Sequence, residues 1–186
     1  MTISGGEVLL QADFAQKILK SCIEQGISTA IETSLYAPYE EIKKLLPYLT
    51  SMYVDYKMAD QERHKFYTGV SNQRIKENLI RLNEEFIGDI HIRIPTIPTV
   101  NLSEKNMKET AEFLIKLKRV RSVELLPSHQ LGLETYRKLG RNYEMKGIKT
   151  PAEQEMEDMA AVLKNMLPEC KIKIKGKLYK EQEEML

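Results

Sequence analysis

Thr2-Ile3-Ser4-Gly5-Gly6-Glu7 is the stretch whose reading decides this chain. Three β-prone residues run into two glycines and a carboxylate, and a helix-forming segment begins near Asp13. Strand, glycine pair, acid, helix is the layout of a ligand loop at the end of a sheet or barrel strand. Glycine permits positive φ and close approach of backbone to a ligand. A lone Gly-Gly-Glu is an ordinary turn in most proteins, so its meaning depends on the rest of the chain.

Beyond Glu7 the chain alternates regularly. Phe14, Ala15, Ile18, Leu19, Cys22 and Ile23 form an apolar stripe at helical spacing, stopped by Gly26. Ser28 to Ser34 and Met52 to Tyr56 read as strands, with a short helix between them from Tyr39 to Leu46 that Pro47 breaks. Asp60 to Phe66 is a helical turn, and Ser71 caps a helix through about Glu85. Asp89 to Pro95 alternates as a strand through Ile90, Ile92 and Ile94; Ser103 caps the next helix; Ser122 to Leu126 is a strand that stops at Pro127. Thr150-Pro151-Ala152-Glu153 has the form of a capping box opening a helix to about Met166, and Cys170 to Ile174 is the last strand. This alternation predicts an α/β fold built on a parallel sheet. Residues 1–174 read as one α/β domain, and residues 175–186 read as a charged, loose tail.

Composition excludes several classes. Of 186 residues, 42% are apolar, enough for a core, and 30% are charged with a net charge of +1, which gives no electrostatic case for nucleic acid or membrane partners. No spanning run or signal peptide is present. The two cysteines, Cys22 and Cys170, have no ligand spacing and read as reduced, buried thiols of a cytoplasmic protein. Asn101-Leu102-Ser103 is a sequon that reads as idle.

The informative pattern is positional. Each predicted parallel strand carries polar or ionisable groups at its carboxyl end: Glu7 on the first, Glu32 and Ser34 on the second, Asp55 and Lys57 on the third, Arg93 on the fourth, Ser128 and His129 after the fifth. In a parallel α/β barrel those ends open on one face, where ligands bind. Residues two apart share one side of a strand, which pairs Asp55 with Lys57 and Glu32 with Ser34. Each has a plainer reading alone: Asp55 with Lys57, or Arg93 with Glu32, as a structural ion pair. Agreement at five strand ends favours a polar mouth. His64, in a surface turn, and His91, alternating with isoleucines, read as structural. No zinc spacing, nucleophile elbow, P-loop or aromatic platform is present.

Taken in order, Thr2–Glu7, Ile31-Glu32-Thr33-Ser34, Val54-Asp55-Tyr56-Lys57, Thr68-Gly69-Val70-Ser71-Asn72, Ile92-Arg93-Ile94-Pro95 and Glu124 to Gly132 resemble the glycyl-radical-enzyme activating enzymes, of the pyruvate formate-lyase activating type. The resemblance covers the chain to about Ile174. It implies membership of the radical S-adenosylmethionine (SAM) enzymes, a partial (β/α) TIM-like barrel, and a CxxxCxxC loop holding a 4Fe-4S cluster. It also implies roles. Gly5, Gly6 and Glu7 would meet the methionine amino group; Ser34, Asp55, Tyr56 and Lys57 would line methionine and ribose; His129 would reach the ribose or adenine; Arg93 would meet a carboxylate or the substrate loop. Glu32 and Asp55 would form a candidate monovalent-cation site. The implied activity is reductive SAM cleavage to a 5′-deoxyadenosyl radical that takes hydrogen from a glycine of pyruvate formate-lyase or a relative, with flavodoxin or ferredoxin as electron donor.

The chain departs from that pattern. It has no CxxxCxxC, and a cluster needs cysteine thiolates. The reading is therefore a chain truncated at the first strand and cluster loop, inactive alone, whose exposed strand edge invites dimers. Leu35 and Thr99 stand where the family commonly has glycine, Val8 where proline is frequent, and Ser128 where tyrosine is frequent. Two other readings compete: a Schiff-base lyase or aldolase using Lys57 beside Asp55, and a non-enzymatic binding module.

Overall fold

The computed structural model describes residues 1–128, 137–140 and 147–180. Its elements in order are β1 (Thr2–Ile3), a 3-10 turn (Val8–Gln11), α1 (Ala12–Glu24), β2 (Ala30–Thr33), α2 (Tyr39–Lys43), a 3-10 turn (Leu46–Tyr48) and β3 (Ser51–Asp55). They continue with α3 (Gln61–Thr68), α4 (Gln73–Glu85), β4 (Asp89–Thr96), α5 (Glu104–Leu114) and β5 (Val120–Pro127). The described chain closes with α6 (Glu153–Met166), β6 (Lys171–Ile174) and β7 (Lys177–Leu178). The strands lie side by side in chain order in one seven-stranded sheet. The first six are parallel and β7 returns antiparallel to β6. This is the α/β fold on a parallel sheet that the alternation predicts, in the partial-barrel form that the resemblance implies.

Strand parity divides the sheet into two different faces. Met52 and Val54 on β3, Ile90, Ile92 and Ile94 on β4, and Ile172 on β6 are buried and join the helices in one core. Burying each such side chain stabilises the fold by about 1.5–3 kcal/mol. The residues between them, Tyr53 and Asp55, His91 and Arg93, Glu124, Lys171 and Lys173, lie on the other, concave face. Parallel sheets commonly bury both faces. Here the concave face is polar and partly open, as a barrel interior lined for a ligand would be.

Local details correct several sequence expectations. Pro47 does not stop α2, which already ends at Lys43; it sits inside the following 3-10 turn. The α4 N-cap is Asn72, and the Ser71 hydroxyl instead accepts the Gln73 N–H at 3.1 Å. The last helix begins at Glu153 with Ala152 as its N-cap, two residues later than the Thr150 box; the Glu155 carboxylate accepts the Ala152 N–H at 2.8 Å. His64 is not on the surface: it is buried on α3, and its Nδ1 lies 2.7 Å from the Val70 carbonyl oxygen. Residues expected in a loose tail form a two-residue turn, Lys175-Gly176, followed by β7. Among the described residues no helix is long and apolar enough to cross a membrane.

Candidate functional site

Gly5 and Gly6 turn the chain away from β1 with φ of +98° and +57°, and a Cβ at either position would meet nothing within 4 Å. Backbone conformation thus favours glycine, and the space over the turn is open. Glu7 then folds back onto β2. Its Oε1 accepts from the Thr33 hydroxyl at 2.6 Å and the Leu9 N–H at 3.2 Å; its Oε2 accepts from the Ser34 N–H at 2.9 Å and the Ser34 hydroxyl at 2.6 Å. Four donors use the lone pairs of a carboxylate. Burial pushes the Glu7 carboxyl up, but the bonds from Ser34 and Thr33 outweigh it and hold it below the usual range. Glu7 therefore fixes the glycine turn against the end of β2.

Glu32, Asp55 and Arg93 stand on three adjacent strands, on the concave face. Arg93 Nη1 donates to Glu32 Oε1 at 2.7 Å, and its Nε and Nη2 both reach Asp55 Oδ1 at 3.1 Å. The Ser4 hydroxyl donates to Glu32 Oε2. That bond, reinforced by Arg93 and opposed by burial, holds the Glu32 carboxyl below its usual range. Lys57 Nζ lies 3.9 Å from Asp55 Oδ2. A guanidinium thus fills the space between the two carboxylates expected to share a cation. Lys57 is 39% exposed and faces a carboxylate, not the apolar, desolvated pocket that activates a Schiff-base amine.

Ser4, Gly5, Gly6, Glu7, Glu32, Ser34, Asp55, Lys57 and Arg93 line one open cavity of roughly 460 Å³ at the carboxyl ends of β1 to β4. That size is within the usual range for small-molecule sites. One expected residue is not brought there. Tyr56 lies on the helix side of the sheet, 1% exposed, its ring stacked 5.7 Å from Phe113 of α5. The reason is parity: Asp55 and Lys57 face the mouth, so the residue between them cannot. Desolvation pushes its phenol far up. His129 lies outside the described residues. Sequence reading missed a set of buried asparagines that hold the loops of the mouth. Asn101 Nδ2 donates to the Lys57 and Pro95 carbonyls, both at 2.7 Å, and its Oδ1 accepts the Ile97 N–H at 2.7 Å. Asn72 donates to the Met58 and Ala59 carbonyls, Asn106 joins Ala59 to Asn101, and Asn78 donates to Leu35 and Ala37. Asn101 is 3% exposed with its amide fully used, in keeping with an idle sequon.

A family model described as the radical SAM superfamily matches residues 1–114. The (2S)-3-sulfopropanediol dehydratase activating enzyme of Klebsiella oxytoca is 42% identical over 151 residues, 80% of this chain and 47% of that protein. The pyruvate formate-lyase-activating enzyme of Clostridium pasteurianum is 34% identical over 167 residues, 90% of this chain and 69% of that protein. A solved domain of pyruvate-formate lyase-activating enzyme from Bacteroides vulgatus ATCC 8482 is 32% identical, with a TM-score of 0.77, over 95% of this chain and 98% of that one. The chain belongs to the radical SAM superfamily and, within it, to the glycyl-radical-enzyme activating enzymes. It spans about half the length of several curated relatives it matches.

Membership implies SAM and a 4Fe-4S cluster. The open glycine turn, the carboxylates and Lys57 suit the ammonium, carboxylate and ribose hydroxyls of SAM. The cluster does not fit the described residues. They contain no group of His, Cys, Asp and Glu able to hold a metal. Cys22 on α1 and Cys170 before β6 are both free thiols, and two thiols fall short of the three that a CxxxCxxC loop supplies.

Proposed function

We propose that the cavity at the ends of β1 to β4 binds SAM, and that the whole protein activates a glycyl radical enzyme. The partner would be pyruvate formate-lyase or a relative, with flavodoxin or ferredoxin as electron donor. The observation that carries this reading is the convergence of the Gly5-Gly6 turn with Asp55 and Lys57 on one mouth. The carbonyls of the glycine turn accept from the methionine ammonium. Asp55 accepts from ribose hydroxyls, and Lys57 meets the methionine carboxylate. Glu7 positions the turn, since its own oxygens are taken by Thr33, Ser34 and Leu9. Arg93 holds Asp55 and Glu32 in place, so we assign no cation between them. SAM, when bound with the cluster of the whole protein, supplies the hydrogen-abstracting chemistry.

Equilibrium binding of SAM to this chain tests the assignment. Saturation-transfer NMR is suited to a weak complex. The expected result is transfer to the adenosyl protons in the wild type and its loss in Asp55→Ala and Gly6→Val. Equal transfer in all three proteins, or none in the wild type, would overturn it.

A further inference from the structure

Charge is unevenly placed on this molecule. Residues 171–180, Lys-Ile-Lys-Ile-Lys-Gly-Lys-Leu-Tyr-Lys, hold five lysines and no acid. The remainder carries 23 basic and 27 acidic side chains, so this run is strongly basic on a nearly neutral chain; Lys116 to Arg121 gathers four further basic residues, and Glu181, Glu183 and Glu184 follow the run in sequence. The structure folds this run into the β6–β7 hairpin. Lys175 and Gly176, with φ of +50° and +80°, make its turn. Lys171, Lys175, Lys177 and Lys180 are exposed and Lys173 half-buried. Among the described residues none of the five makes an ion pair, whereas lysines and arginines elsewhere, including Lys44, Arg93 and Arg121, do. Glu124, in register with Lys173, has its Oε1 taken by the Gly176 N–H at 2.6 Å.

Lysines on an edge strand can serve simply to block sheet extension. That explains Lys177 on β7. It does not explain Lys171 and Lys173, which lie on a strand paired on both sides and face the concave surface. Their field reaches across that surface: burial first, then Lys173, holds the His91 imidazole on β4 below its usual range. The turn stands at the carboxyl end of β6, the same end of the sheet as the proposed SAM cavity, and Lys175 N–H bonds the Leu125 carbonyl of β5 at 3.2 Å.

We propose that the β6–β7 hairpin is a docking surface for an acidic protein, which it brings alongside the mouth of the barrel. A protein fits better than nucleic acid. Five lysines over one hairpin, without arginine forks for phosphate, are a short patch on a chain of net charge +1, whereas DNA binders commonly neutralise a longer row of phosphates. Opposed potentials of this kind act mainly on the rate and specificity of encounter, and salt weakens them. The proposal goes beyond the SAM assignment and does not depend on it.

The test uses the whole chain and poly-L-glutamate as probe, with a DNA duplex of equal charge and phosphatidylserine vesicles as comparators. The expected result is binding of poly-L-glutamate at low ionic strength in preference to both comparators, and at least a tenfold loss in Lys171→Glu/Lys177→Glu. Both residues are exposed and outside the left-handed region, so the variant retains the fold, checked by circular dichroism. SAM binding in that variant stays as in the wild type. Unchanged poly-L-glutamate binding in the double variant, or tighter binding to the duplex or vesicles, would overturn the proposal, whatever the result with SAM.

Discussion

Arg93 on β4 donates through Nη1 to Glu32 on β2 at 2.7 Å, reaching over the intervening strand β3, where it also bonds Asp55. One cation therefore ties together the ends of three parallel strands. The pair is partly exposed, 17% for Arg93 and 29% for Glu32, so its net worth is well below that of a buried pair. Arg93→Ala is expected to cost about 1–2 kcal/mol in urea unfolding, most of it from leaving two carboxylates unneutralised. It is also expected to weaken SAM binding about tenfold through loss of the Asp55 orientation. Arg93→Lys should recover only part of either effect, because an ammonium cannot fork between two acids.

Asn101→Ala tests the asparagine network. It leaves the Lys57 and Pro95 carbonyls and the Ile97 N–H without their partner. Buried groups left so cost about 1–3 kcal/mol each, and relaxation of the loops lowers the sum, giving about 2–4 kcal/mol for the variant. Because Asn101 holds the backbone of Lys57, SAM affinity should fall together with stability, which chemical denaturation and binding would report side by side.

Backbone strain gives a prediction of opposite sign. Leu35 and Thr99 adopt φ of +57° and +66°, the left-handed region that disfavours side chains with a Cβ. Thr99 is exposed, so Thr99→Gly should raise stability by about 1 kcal/mol. Leu35 is fully buried, so Leu35→Gly should destabilise: the lost core packing outweighs the strain relieved. Thermal melts of the two variants would move in opposite directions.

The strands and the mouth were legible in the sequence because β-branched residues alternate with polar ones along the strands, and parity alone puts Asp55 with Lys57. The same parity places Tyr56 on the helix side; the family resemblance pointed the other way, and the fold followed parity. The asparagine network was not legible. Asn72, Asn78, Asn101 and Asn106 look like ordinary surface or capping residues until distant carbonyls come to meet them. Leu35 and Thr99 carried a signal, since the family resemblance implied glycine at both, and both backbones adopt the left-handed region that favours glycine.

Acid should weaken the fold in two stages. Burial, opposed by the Val70 hydrogen bond, depresses the His64 imidazole in the folded state. Its contribution is complete above the ordinary histidine value of 6.5 and is lost as pH falls through the depressed value. Glu7 and Glu32 are also depressed, so theirs is complete above 4.5 and lost as pH falls further. Urea midpoints followed downward in pH should decline in both windows. Glu7→Gln should shrink the lower decline, which Glu32 shares, and His64→Gln the upper, which His91 shares.

If the strand ends from β1 to β4 form one SAM site, they must respond to SAM together. Amide chemical-shift mapping of the labelled chain during SAM titration reads that response residue by residue. Shifts are expected to gather at Ser4 to Glu7, Glu32 to Ser34, Asp55 to Lys57 and Arg93. Shifts centred instead on the apolar cavity of roughly 310 Å³ lined by Leu114, Leu117, Leu167 and Cys170, at the opposite end of the sheet, would contradict a single site at the mouth.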